Sequence, residues 1–235
     1  MAADLKDLVI HSGIAGPAAP APDGGWTLVT GDGRTCLRRV GEGRFGDVCA
    51  ELSDCRRLVA PGDPLARAVG RGASRVVDAT AGLGGDALRL ACLGLSVIAY
   101  ERCAPVAAVL ADGLARARRE PGLAAVARRI ELRVADARRG LPRLRPAPDV
   151  VFLDPMFPPK RRRSALPRKE LVALRALAGD DPDAAELLAE ARRCARRRVV
   201  VKRPDHAAPL GPRPAFSYAG KLVRYDVYLP QRRSP

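Results

Sequence analysis

From Arg75 onward, short apolar runs alternate with Ala/Leu/Arg segments of helical period. That alternation predicts strands and helices taking turns in a mostly parallel sheet. Strands are expected at 75–79, 96–100, 130–134, 149–153 and 198–202, with a last apolar stretch at 222–229. Helices fill the gaps near 86–93, 105–119, 137–144, 164–177 and 182–197. The last helix has Asp181 as its expected N-cap, Pro182 at the first helical position and Asp183 in the first turn. Residues 1–60 read differently: glycines and prolines punctuate short β-like runs such as Trp26-Thr27-Leu28-Val29. A small β-rich N-terminal unit followed by a main domain at 61–235 is the organisation these patterns predict.

The 235 residues suit one α/β domain with a small appendage. Hydrophobic residues make up 47% and aromatics only 4%, so the core has to be built from Ala, Val and Leu. No stretch approaches the roughly 18 apolar residues of a membrane helix, and no basic-then-apolar leader opens the chain. A cytoplasmic monomer without membrane attachment is therefore expected. Six cysteines (Cys36, Cys49, Cys55, Cys92, Cys103, Cys194) lack zinc spacing, and the two histidines, His11 and His206, join no constellation. Reduced thiols and no metal site follow from this reading. The net charge of +15 points to a polyanionic partner, although only five of the 41 basic residues are lysine.

The segment Val76-Val77-Asp78-Ala79-Thr80-Ala81-Gly82-Leu83-Gly84-Gly85-Asp86 joins a buried strand to a helix through a glycine-rich turn. Glycines there let backbone approach a ligand closely. About 20 residues later Glu101 ends the second strand, placed to accept hydrogen bonds from two ribose hydroxyls. Asp78, Gly82, Gly84 and Glu101 together outline a nucleoside pocket. Gly82-x-Gly84-x-x-Ala87 also fits a dinucleotide fingerprint, which keeps a nicotinamide-dependent oxidoreductase open.

The fourth strand ends in Asp154-Pro155-Met156-Phe157-Pro158-Pro159. In open α/β sheets ligands collect outside the carboxyl ends of strands, so Asp154 should face the crevice of Gly82 and Glu101. This string resembles the Asp/Asn-Pro-Pro-Tyr/Phe motif of methyltransferases acting on exocyclic amines. Asp154 would accept the amine N–H bonds, Pro155 would stiffen the turn, and Phe157 would stack on the base for roughly 1–3 kcal/mol. Lys160, Arg161, Arg162 and Arg163 follow directly, with Arg168 and Lys169 beyond, placed to grip phosphates beside the target. Lys202 and Arg203 close the fifth strand at the crevice rim and are expected to contact RNA as well. The run Arg192, Arg193, Arg196, Arg197 and Arg198 reads as a solvated helix face.

Over roughly residues 76–228 the chain resembles the bacterial small-subunit ribosomal RNA guanine-N2 methyltransferases of the J type. The strings that carry the likeness include Leu153-Asp154-Pro155-Met156-Phe157-Pro158, Val199-Val200-Val201-Lys202-Arg203-Pro204-Asp205 and Arg224-Tyr225-Asp226-Val227-Tyr228. The resemblance implies a Rossmann-like class I methyltransferase with a mostly parallel seven-stranded sheet and helices on both faces. It implies S-adenosylmethionine as cofactor, held at Gly85, Asp86, Glu101, Arg102, Asp136, Ala137 and Asp154. The implied reaction is methyl transfer to N2 of a guanosine near the 3′ end of 16S rRNA, free or in the small ribosomal subunit. The chain departs from the family at Gly85, commonly Arg, and at Asp136-Ala137, commonly a Ser pair; Asp136 could then meet the adenine amine. Two readings stand beside it: the oxidoreductase, and a non-catalytic RNA-binding module that would use the charge alone.

Overall fold

The computed structural model describes residues 9–10, 25–41, 46–53, 62–156 and 168–231. β1 (Val9–Ile10) lies at the edge of the main sheet. β2 (Trp26–Gly31), β3 (Arg34–Arg39) and β4 (Val48–Cys49) form a separate antiparallel sheet, in keeping with the β-rich N-terminal unit. Cys36 and Cys49 face each other in the β3/β4 register and form a disulfide, where the sequence led us to expect free thiols. Cross-strand geometry explains this: facing positions with Cα atoms 4.4 Å apart bring the two sulfurs together, although 13 residues separate them along the chain.

α1 (Pro64–Val69) follows, capped by Asp63, whose carboxylate accepts from Leu65 N at 2.7 Å. The alternating pattern then unfolds as expected. β5 (Arg75–Asp78), α2 (Gly85–Cys92), β6 (Ser96–Glu101), α3 (Ala104–Ala117), α4 (Ala124–Ala127) and β7 (Ile130–Val134) build one half. α5 (Ala137–Gly140), running into a 3-10 turn, β8 (Val150–Leu153), α6 (Lys169–Ala178), α7 (Ala184–Cys194) and β9 (Arg198–Pro204) build the other. β10 (Phe216–Ala219) and β11 (Val223–Tyr228) close the chain as an antiparallel pair.

Among the described residues the main sheet has the order β1-β7-β6-β5-β8-β9-β11-β10, the seven strands that the resemblance implies, of which β10 had no counterpart in the apolar pattern, plus the two-residue β1. β7, β6, β5, β8 and β9 are parallel, while β11 runs antiparallel to β9. The chain winds outward from β5 to β7, then returns to β8 on the other side of β5. This reversal opens a crevice at the carboxyl ends of β5 and β8.

Strand alternation splits the core between two faces. Val76, Val97, Ala99, Val150, Phe152 and Val200 pack with Leu88, Leu90, Leu110 and Leu114 of α2 and α3. Val77, Ile98, Val151, Leu153, Val199 and Val201 pack with Ala137, Leu141, Leu187 and Leu188 on the other side. A third cluster, including Leu37, Val48, Val106, Val109 and Ala173, fastens the N-terminal sheet to α3 and α6. No helix among the described residues is long and apolar enough to cross a membrane.

Candidate active site

The turn from β5 to α2 sets the floor of the site. Gly82 and Gly84 have φ of 53° and 84°, values that favour glycine, and a Cβ on Gly84 would collide with Leu110 of α3. Gly84 is thus required by packing beneath the pocket, whereas Gly82 lines it. Gly85 is exposed and a Cβ there would meet nothing within 4 Å, so space does not demand a glycine at this position.

Glu101, at the end of β6, is buried and accepts from Gly82 N at 2.9 Å and from Cys103 N at 2.7 Å. Burial raises its pKa, against the pull of those two N–H donors. Each oxygen keeps a lone pair for a further donor. Asp78 is buried beneath the turn, with Oδ1 accepting from Thr80 N at 3.1 Å and Oδ2 without a hydrogen-bond partner. Asp136 caps α5, and its carboxylate holds Arg138 at 2.6 Å. Burial works against its ionisation, yet Arg138 keeps its pKa below the usual carboxylate value. Ala137 is buried at the first position of α5.

Across the crevice Asp154 follows β8, its backbone N donating to Thr80 Oγ1 at 2.7 Å. Its Oδ2 lies 2.8 Å from Lys202 Nζ, which also reaches Asp86 Oδ2 at 2.5 Å. Burial pushes the Asp154 carboxyl up to about 6, Lys202 opposes that rise and Asp86 adds to it. Pro155 is buried and Met156 N donates to Asp181 Oδ2 at 2.7 Å. Arg102 pairs with Asp181 and Asp183, both at 2.6 Å, and Asp183 also holds Arg138 at 2.9 Å. Asp181 is therefore a strut between the cofactor side and the Asp154 loop rather than the N-cap expected of it. α7 starts at Ala184, after Asp183. Thr80 and Asp181 were missed because a hydroxyl beside a glycine turn and an acid before a helix both have ordinary local uses.

A cavity of about 520 Å³ brings Gly82, Gly85, Asp86, Glu101, Arg102, Asp136, Ala137 and Asp154 together. Asp78 and Gly84, both buried, do not line it; Cys49 of β4 and Glu51 just beyond that strand do, as do Leu171 and Leu174 of α6. Phe157 and Lys160 to Arg163 lie outside the described residues. Lys202 faces the two carboxylates, while Arg203, next along β9 and so on the opposite face, is buried and donates to Ala208 O at 3.0 and 2.5 Å. Arg197 and Arg198 donate to Arg71 O and Ala68 O and Arg196 pairs with Asp149, all at the far end of the sheet from the cavity.

The chemistry of the lining distinguishes between ligands. Eight acids line it (Glu51, Asp86, Glu101, Asp136, Asp154, Glu170, Asp181, Asp183) against three arginines (Arg102, Arg138, Arg168), in a chain of net charge +15. An acid-rich wall attracts a sulfonium and an ammonium and repels the pyrophosphate of a dinucleotide. The free lone pairs of Glu101 and the cavity volume both fit S-adenosylmethionine, and the volume falls in the ordinary range for small-molecule sites.

Sheet order, glycine turn and acid-lined crevice define a Rossmann-like S-adenosylmethionine-dependent methyltransferase. A family model described as "Putative SAM-dependent methyltransferase" matches residues 25–230, so the match takes in all three strands of the N-terminal sheet, beyond the 76–228 over which the sequence strings pointed. The Ribosomal RNA small subunit methyltransferase J of Thioalkalivibrio sulfidiphilus is 50% identical over 179 residues, 74% of this chain and 70% of that protein. Its namesake from Neisseria meningitidis serogroup C is 42% identical over 223 residues, 91% of this chain and 88% of that protein. The crystal structure of a SAM-dependent methyltransferase from Neisseria gonorrhoeae superposes with a TM-score of 0.70 at 32% identity, covering 97% of each chain. The chain belongs to the ribosomal RNA small subunit methyltransferase J family. The oxidoreductase and the non-catalytic RNA-binding module both fall with that assignment.

Proposed function

We propose that the enzyme methylates the exocyclic N2 of a guanosine near the 3′ end of 16S rRNA, acting in the cytoplasm where ribosomes are assembled. The observation that carries this reading is the position of Asp154, on the wall of the cavity that also holds Gly82 and Glu101. The names of its relatives support the ribosomal substrate.

An amine conjugated into a purine is a weak nucleophile, so it needs orientation more than activation. Asp154 accepts an N–H bond and turns the nitrogen lone pair toward the reacting carbon; alignment of this kind lowers barriers by several kcal/mol. Bound S-adenosylmethionine supplies the methyl group on a positively charged sulfur. Glu101 holds the ribose hydroxyls, Arg102 and Asp181 keep the Asp154 loop in place, and α6 with Glu51 keeps water out. Once N2 has taken up the methyl group, its surplus proton would leave by way of Asp154 to solvent. Phe157 stacks on the base, and Lys160 to Arg163 grip the neighbouring phosphates.

Mass spectrometry of 16S rRNA nucleosides tests the substrate: cells lacking this protein should lose one N2-methylguanosine, and an unchanged nucleoside profile rules it out. Asp154→Ala should abolish transfer in a tritiated-methyl assay while RNA affinity stays within about twofold. A fully active variant would remove Asp154 from the reaction.

A further inference from the structure

A phosphate ligand needs an ammonium that faces solvent. Lys202 offers something else: its side chain is 22% exposed, and its Nζ sits between Asp86 Oδ2 at 2.5 Å and Asp154 Oδ2 at 2.8 Å. The three groups together carry one net negative charge, which Arg89 beside Asp86 offsets, so no net positive charge is left for a phosphate. Around them stand Asp78 at the end of β5, Arg89 on α2, Arg203 on β9 and Tyr225 on β11. Arg89 is tied to Asp63 at 3.0 Å and to Tyr225 Oη at 2.8 Å and reaches Asp86 Oδ1 at 3.4 Å, while Arg203 is tied to Ala208 O. Among the described residues Lys202 is thus the cation that bridges the Asp86 and Asp154 carboxylates.

We propose that Lys202 is a positioning residue for methyl transfer: clamped between Asp86 and Asp154, it fixes Oδ2 of Asp154 and leaves Oδ1 turned to the amine. The clamp rests on the role given to Asp154 above. A carboxylate held at one oxygen by an ammonium cannot rotate freely, and its other oxygen stays an acceptor. Without the ammonium, two half-buried carboxylates would face each other, and one of them would take up a proton. A protonated Asp154 presents an O–H where the amine needs an acceptor. Burial alone would lower the Lys202 pKa, but its two carboxylates hold it above the usual lysine value, so the clamp stays charged throughout the working range.

The test reads Asp154 directly, by carboxyl 13C NMR titration, beside single-turnover methylation of small ribosomal subunits and the salt dependence of RNA binding. In Lys202→Met the Asp154 midpoint should rise by about one pH unit or more, and the rate at pH 7 should fall about twofold or more. The slope of log affinity against log salt should stay unchanged. Asp86→Asn, which leaves the lysine in place, should lower the midpoint, because the ammonium then serves Asp154 alone; this second variant keeps the test decisive if Lys202→Met folds poorly. A midpoint that does not move in either variant overturns the clamp. So does a Lys202→Met slope flattened by about 0.9, the value of one lost phosphate contact, with the rate retained. Wild-type protein that methylates no rRNA while both midpoints shift as stated would defeat the proposed substrate and leave the clamp standing.

Discussion

At the scale of single residues, Asp78 shows what the site asks of the fold. One oxygen accepts from Thr80 N and the other is buried without a partner. Burial, helped by the charge of Asp86, pushes its carboxyl up from 3.8 to about 8. The folded chain therefore binds this proton more tightly than the unfolded chain does. Its contribution to stability is full below about pH 4 and is lost as pH rises toward about 8. Asp78→Asn should flatten that decline in Tm, and a variant whose Tm falls as steeply as wild type between those limits would show that Asp78 is not the group titrating. The acid itself was readable at the end of a strand before a glycine turn. Its lack of a second partner was not, because that depends on what the neighbouring strands place around it.

At the scale of elements, the β5-to-α2 turn separates two adjacent glycines by their surroundings. Gly84 combines a φ of 84° with a Cβ position occupied by Leu110, whereas Gly85 opens onto empty space. Gly84→Ala should cost about 2–4 kcal/mol in urea unfolding, from backbone strain together with overpacking. Gly85→Ala should be neutral or stabilising, since alanine suits a helix better than glycine does. Equal losses at both positions would contradict this account. Most elements from β5 to β9 were legible because their apolar spacing is a local property. α1 and α4 are helices of only six and four residues, and β10 is exposed along most of its length, so these three carry little apolar periodicity and were not legible. α7 starts later than its sequence cap suggests, because Asp181 is drawn away to Met156 N and Arg102.

At the scale of the molecule, the small N-terminal sheet is part of the pocket wall. Leu37 and Val48 are fully buried against α3 and α6, and Cys49 of the same sheet and Glu51 just beyond it line the cavity. Leu37→Ala should lower stability by about 2–5 kcal/mol and also weaken S-adenosylhomocysteine binding in calorimetry. Undiminished affinity alongside the stability loss would mean that the sheet does not shape the wall. Net charge misleads at this scale: a chain of +15 encloses an acid-lined cavity, because many of its arginines are tied to carbonyls and carboxylates of the fold.

The succession of strands and helices along the chain, the glycine turn and the acids at or just after the ends of β5, β6 and β8 were determined by the sequence alone, because periodicity and turn chemistry act over a few residues. Tertiary structure decided which partner each charge would meet. Lys202 and Arg203 are neighbours in the chain, yet strand alternation sends one to Asp86 and Asp154 and the other to Ala208 O. Asp181 likewise became a strut only because β6, β8 and α7 converge on it. A charge takes its role from what stands across from it, and that is settled by contacts between residues far apart in the chain.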